Sequence, residues 1–254
     1  MQALHEHVAK DGFRLRGLAM SRIDGFSDVV FGFALTLIVV SLEVPHTYNE
    51  LHKILLGFVP FLICFVLLFT IWWSHFKFFR RYGLHDLPTV LINCTLLFMV
   101  LFYVYPLKFL FSLVAGQLVG AVGSEPVFTN ALQSRELMIV YGLGFAGIYF
   151  CFAGLYLNAW RQREELRLSP LEKTLTLTYF WDEFGVACVG IVCCIVARLL
   201  PPEYAGLAGF TFFLIGVWKT VHGTVSGRHL RMARANDNQA TTAPVAISTG
   251  KDEP

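Results

Sequence analysis

Charge is what this sequence has least of. Asp, Glu, Lys and Arg make up 15% of its 254 residues, against roughly 25% in an ordinary soluble domain. So little polar material cannot cover a water-facing surface, which argues against a soluble globular fold. Intrinsic disorder is excluded from the other side, because 56% of the residues are hydrophobic. A net charge of +2 provides no basic surface for nucleic acid. The sequence has no G-x-S-x-G, H-E-x-x-H or Walker pattern, and no nucleophile beside a base, so nothing points to an enzyme. The six cysteines include no C-x-x-C pair with a nearby His, so no metal site is expected. They lie in apolar stretches and read as small packing residues. No cofactor is implied.

Long apolar runs take the place of charge, and the mean hydropathy is +0.59. A helix needs about 20 mostly apolar residues to cross the hydrocarbon core. Six stretches qualify: Ile23 to Val44, Ile54 to His75, Leu87 to Val114 with Pro106 expected to kink or break it, Leu137 to Trp160, Leu175 to Leu199, and Tyr204 to His222. None alternates with period two, so helices rather than strands are expected. The first stretch is followed by Ser41-Leu42-Glu43-Val44-Pro45, which is not a small-x-small cleavage site, and it reads as a span rather than a leader.

Lys and Arg orient these spans. With the N-terminus in the cytoplasm, only Lys53, Lys108, Arg135 and Arg198 of the 20 cations fall outside or near the outer ends. That bias predicts both termini inside and an even number of spans. The chain then divides into a cytoplasmic segment 1–22, a six-helix transmembrane domain 23–222, and a polar, disordered cytoplasmic tail 223–254. The short loops suit a cytoplasmic cell membrane.

The start of the first span differs from the rest. It reads Arg22-Ile23-Asp24-Gly25-Phe26-Ser27-Asp28, with Asp24, Ser27 and Asp28 three or four apart on one face. This is either an N-cap cluster where the helix leaves water or a polar network that locks the helix to neighbours. Trp72 and His75 in the second span and Asn93 in the third are the candidate partners. Farther along, Phe33, Leu37 and Val40 form an i, i+4, i+7 stripe, with Gly32 and Thr36 beside it. Spacing alone assigns that stripe to lipid contact or bundle core.

Arg22 to Asp28 fits the R-x-x-x-F-S-D signature that opens the first helix of the transmembrane protein 175 family of potassium channels, and the chain resembles that family from about Arg22 to Leu110. Trp72-Trp73-Ser74-His75, then Phe79-Arg80, is similar to its W-x-x-H segment, and Leu91-Ile92-Asn93 with Leu96-Leu97 and Pro106 is similar to its third helix. The resemblance implies six helices per chain and a homotetramer, with the first helix of each copy lining a central pore. It implies a potassium-selective, leak-like channel whose partners are potassium ions, its own copies and the bilayer. Neither the family nor this sequence carries a T-V-G-Y-G filter. Counting from F-S-D, the constriction falls on Phe33, Leu37 and Val40, and Thr36 contributes to selectivity, by hydrophobic rings and hydroxyls that replace ion hydration. Phe33 departs from the family's usual Ile or Leu. Glu43 stands either at the outer mouth, where four carboxylates would concentrate cations, or as an exposed interfacial residue.

A different class of function is implied by Trp181-Asp182-Glu183 in the fifth span. Intramembrane carboxylates suggest a proton-coupled transporter using Asp182, Glu183 and His75, or they pair with a basic residue of the inner loops. A purely structural role is the third reading.

Overall fold

In the computed structural model, residues 8–9, 11–40, 47–48, 58–119 and 130–242 are described. Among them are six α-helices: α1 (Arg22–Val40), α2 (Phe58–Tyr82), α3 (Leu87–Val119), α4 (Ala131–Arg161), α5 (Pro170–Leu199) and α6 (Leu214–Thr242). No strand occurs among the described residues; Val8 and Arg14 form one isolated bridge. Five helical stretches are long and apolar enough to cross a membrane: Phe61–Tyr82, Leu87–Leu110, Ala131–Arg161, Pro170–Leu199 and Pro202–Gly227. Over its 19 described residues α1 reaches about 28 Å.

Besides longer ends, with α2 reaching Tyr82 and α4 starting at Ala131, the elements differ from expectation in three places. The α3 helix runs through Pro106 without breaking and continues to Val119. The Pro106 carbonyl takes a hydrogen bond from the Tyr141 hydroxyl of α4, which ties the proline turn to its neighbour. The stretch expected as one helix from Tyr204 begins instead as a 3-10 segment, Pro202–Phe213, and becomes α-helical only at Leu214. The α6 helix then continues past His222 to Thr242, so helix extends into the polar segment.

The bundle has two halves. α4 and α5 make the most extensive pairing, with the 3-10 segment and α6 against them. Glycines permit that closeness. A Cβ at Gly142 would lie 2.7 Å from the Gly190 carbonyl oxygen, and one at Gly190 would lie 2.6 Å from that of Gly142. The other half is α1 with α2 and α3, joined to the first through an α3–α4 contact more extensive than any within this half. At the turn joining α2 to α3, Asp86 accepts from the Thr89 hydroxyl (2.7 Å) and from Asn158 Nδ2 of α4 (2.9 Å). Burial alone would raise the Asp86 carboxyl; these bonds outweigh it and hold it below the usual carboxylate range.

The described N-terminal residues form a strap rather than a loose lead-in. Gly17 N–H donates to Arg80 O (3.1 Å) and Arg16 N–H to Arg81 O (3.2 Å), fastening the strap to the end of α2. Phe13 is buried under the guanidinium groups of Arg16 and Arg81 and against Tyr82. Arg81 pairs with Asp11 at 2.6 Å. Arg16 bonds both oxygens of buried Glu172, at 3.0 and 2.8 Å. The same carboxylate closes a capping box with Ser169 at the start of α5.

Candidate functional site around the first helix

The amino end of α1 is capped locally. Ser21 Oγ accepts from Asp24 N–H (3.2 Å), while the Asp24 carboxylate accepts from Ser21 N–H (3.0 Å) and Ser21 Oγ–H (2.7 Å). This is a reciprocal box of the S-x-x-D type, and it places a negative charge at the helix's positive end. Asp24 therefore serves the cap and leaves the cross-helix contacts to others. Arg22 and Phe26 are exposed beside it.

One turn on, Ser27 is fully buried. Its hydroxyl donates to Ile23 O (2.7 Å) and accepts from Asn93 Nδ2 of α3 (2.9 Å). The other half of the Asn93 amide, Oδ1, lies 2.8 Å from His75 Nε2 of α2. Because Nδ2 must donate to Ser27, Oδ1 is the acceptor and His75 presents Nε2–H. The His75 ring packs edge-on to Phe31 of α1 and against Phe79. Beside this chain of bonds, Trp72 Nε1–H donates to Asp28 Oδ1 at 2.7 Å. The structure thus brings Ser27, Asp28, Trp72, His75 and Asn93 together across three helices. Such bonds matter at this depth because unpaired polar groups in an apolar setting are expensive.

These contacts orient α1. Ser27, Phe31, Ala34 and Ile38 face the bundle and are buried. Val29, 70% exposed, Phe33, 57% exposed, and Thr36 face outward; Leu37 is half-buried. Thr36 Oγ1–H donates to Phe33 O at 2.7 Å. Its proton is thereby spent on the helix, and the oxygen lone pairs remain for an acceptor role toward a cation. Gly32 has open space around it and lines, with Asp28, Leu35 and Trp72, a cavity of about 330 Å³ between α1 and α2. Val40 ends the described helix, and its side chain lies outside the described set, as does Glu43.

The far end of α1 is held by a residue that sequence reasoning did not connect to it. Lys108 Nζ donates to Ile38 O at 2.9 Å. A lone lysine two residues past a proline in an apolar run is the signal for such a tether. The strap residues Asp11, Phe13 and Arg16, with Glu172, were also missed, because nothing local announces partners 70 positions away, as for Asp11 and Arg81, or 156, as for Arg16 and Glu172.

Asp182 and Glu183 belong to another region. Asp182 pairs with Lys219 at 2.5 Å and lies 3.7 Å from His222 Nδ1. Glu183 is buried, with Oε2 unpartnered among the described residues. Both are on α5, which has no packing with α1 among the described residues.

The pattern of the family described as the endosomal/lysosomal potassium channel TMEM175 matches residues 22–103, the stretch that holds this polar junction. A protein of Marivirga tractuosa described as a potassium channel is 33% identical over 228 residues, covering 86% of this chain and 92% of that protein. The chain belongs to the TMEM175 family. Among solved structures, a threonine-to-alanine variant of the potassium channel MtTMEM175, crystallised with a nanobody fusion, superposes with a TM-score of 0.77 at 32% identity, covering 87% of this chain and 99% of that one. A lysosomal potassium-selective channel TMEM175 homolog from Chamaesiphon minutus shares the fold, with a TM-score of 0.52 at 23% identity over 79% of this chain and 96% of that one. TMEM175 proteins are ion channels rather than enzymes, and this member is a multi-pass membrane protein.

Proposed function

We propose that this chain is the subunit of a potassium-selective, leak-like channel of the cell membrane. Four copies assemble with their α1 helices around a central axis, each chain crossing six times with both termini in the cytoplasm. Phe33, Leu37 and Val40 form hydrophobic rings that narrow the path, and the Thr36 hydroxyl oxygens contribute selectivity. Glu43 of each copy stands at the outer mouth and gathers cations. The observation that carries this reading is the two-sidedness of α1. Its inner face is locked by Ser27, Asn93 and His75, yet the opposite face leaves Phe33 and Thr36 uncovered within one chain. A helix anchored this firmly can present a constriction of fixed geometry. The transporter reading through Asp182 and Glu183 has less support, since Asp182 is engaged by Lys219 on the side of the bundle remote from α1.

Flux of potassium and sodium from liposomes holding the purified protein tests the proposal. Phe33→Ala widens the constriction and raises potassium flux. Thr36→Val removes the oxygen that would replace ion hydration and lowers the preference for potassium over sodium, by about tenfold for one hydrogen-bond-sized contribution to a charged group. Absence of flux above protein-free liposomes, with and without Phe33→Ala, would sink the idea.

A further inference from the structure

At the cationic end of the bundle, on the side remote from α1, a cleft of about 540 Å³ opens between α5 and α6. Three of the five tryptophans, Trp160, Trp181 and Trp218, line it. Tryptophan gathers where hydrocarbon meets headgroups. The position of Trp218 is fixed: its Nε1–H donates to Asp182 O at 3.2 Å, and its ring fills the space at Gly185, where a Cβ would sit 2.0 Å away.

The cleft pairs an apolar wall with a cationic rim. Leu177 and Val225 continue the wall; Lys173 stands on the rim, Ser226 is buried with its hydroxyl 3.2 Å from His222 Nε2, and no carboxylate is among the lining residues. Lys173 Nζ gives one hydrogen bond to Glu164 at 2.9 Å, and Glu164 is 75% exposed. An ion pair so open to water contributes little, and an ammonium has two further donors. Arg163, its guanidinium 4.9 Å over the Trp160 ring, shares Glu164 with Lys173 at 3.6 Å, so two cations stand against one exposed carboxylate beside the cleft.

We infer that this cleft holds an anionic phospholipid of the adjoining leaflet, its phosphate on Lys173 and an acyl chain along Leu177 and Val225. Charge complementarity selects the headgroup, since basic pockets between membrane helices recruit anionic lipids. The apolar wall requires a chain attached to it, which a free anion lacks. The inference needs the chain to lie in a bilayer and does not depend on conduction.

Native mass spectrometry of the purified full-length protein with added phosphatidylglycerol or phosphatidylcholine of identical chains reads the site directly. Phosphatidylglycerol is retained preferentially. Lys173→Glu weakens its retention about tenfold, and Ser226→Trp, which fills the cleft, does likewise. Arg80→Glu, the same charge change at an exposed position of α2, leaves it unchanged. Lys173→Gln keeps the stem and answers the same question should Lys173→Glu fold poorly. Millimolar inorganic phosphate does not displace the lipid. Equal retention of the two lipids, equal losses in Lys173→Glu and Arg80→Glu, or displacement by phosphate alone would overturn the inference. Potassium flux from the same preparations is scored separately, so failure of the lipid site and failure of the channel reading remain distinct.

Discussion

Asn93 spends both halves of its amide on other helices, one on Ser27 of α1 and one on His75 of α2. Its removal therefore orphans the buried His75 Nε2–H and strips the Ser27 hydroxyl of the donor it accepts from, leaving Ser27 its bond to Ile23 O; an orphaned buried group costs about 1–3 kcal/mol. Asn93→Ala is expected to destabilise the protein by that order in SDS unfolding. Thr95→Ala, which deletes an exposed hydroxyl bonded only to Leu91 O of its own helix, should stay within about 0.5 kcal/mol of the parent. Ser27→Ala combined with Asn93→Ala should cost less than the sum of the two, because both remove the same bond. Additive losses would mean that Ser27 and Asn93 do not act as a pair. The Trp72–Asp28 bond is separate, closing the junction from the side of the α1–α2 cavity.

At the scale of elements, α1 carries an assignment for each face of its described length, and much of that was legible. The polar residues at its start, their spacing, and the Trp, His and Asn on the next two spans identified which helices meet. The long apolar runs located most of the helices, because burying a backbone in lipid leaves few alternatives to a helix. Two features were not legible. The 3-10 geometry of Pro202–Phe213 is a choice of hydrogen-bond spacing, and hydropathy is blind to it. The strap depends on Arg16 finding Glu172, and on Gly17 lying against α2 so closely that a Cβ would meet Phe79 O at 2.3 Å. Gly17 stands only a few residues before the α1 cap, so displacing it displaces the inner end of α1. Gly17→Ala is expected to alter potassium flux in liposomes, whereas Gly216→Ala, where a Cβ meets nothing within 4 Å, should not. Arg16→Ala removes the bidentate partner of buried Glu172 but leaves it the Arg14 and Ser169 N–H bonds and the Arg14 guanidinium at 3.9 Å, so its cost falls below the about 3–5 kcal/mol of a fully unpaired buried charge. A Gly17→Ala protein with unaltered flux would show that the strap braces the bundle without reaching the helix it precedes.

For the whole molecule, the question is what covers the outward face of α1. Lipid and a water-filled path around an axis make opposite demands. A carboxylate facing the bilayer centre costs about 2.5–3.5 kcal/mol, while one facing a hydrated path draws counterions. Phe33 of α1 and Phe98 of α3 allow a matched comparison, since both are exposed, at 57% and 66%, and each lies about 16 Å along its helix from the start. If four copies enclose α1, Phe33→Asp is tolerated, with a mass near four times 28.6 kDa by light scattering, while Phe98→Asp loses the full lipid penalty in SDS unfolding. If α1 faces lipid, the two substitutions cost the same. The comparison also separates the channel from a transporter that works as a single chain, because a monomer exposes both phenylalanines to the same solvent. The sign of the difference between two aspartates at equal depth therefore reports on the assembly without any measurement of conduction.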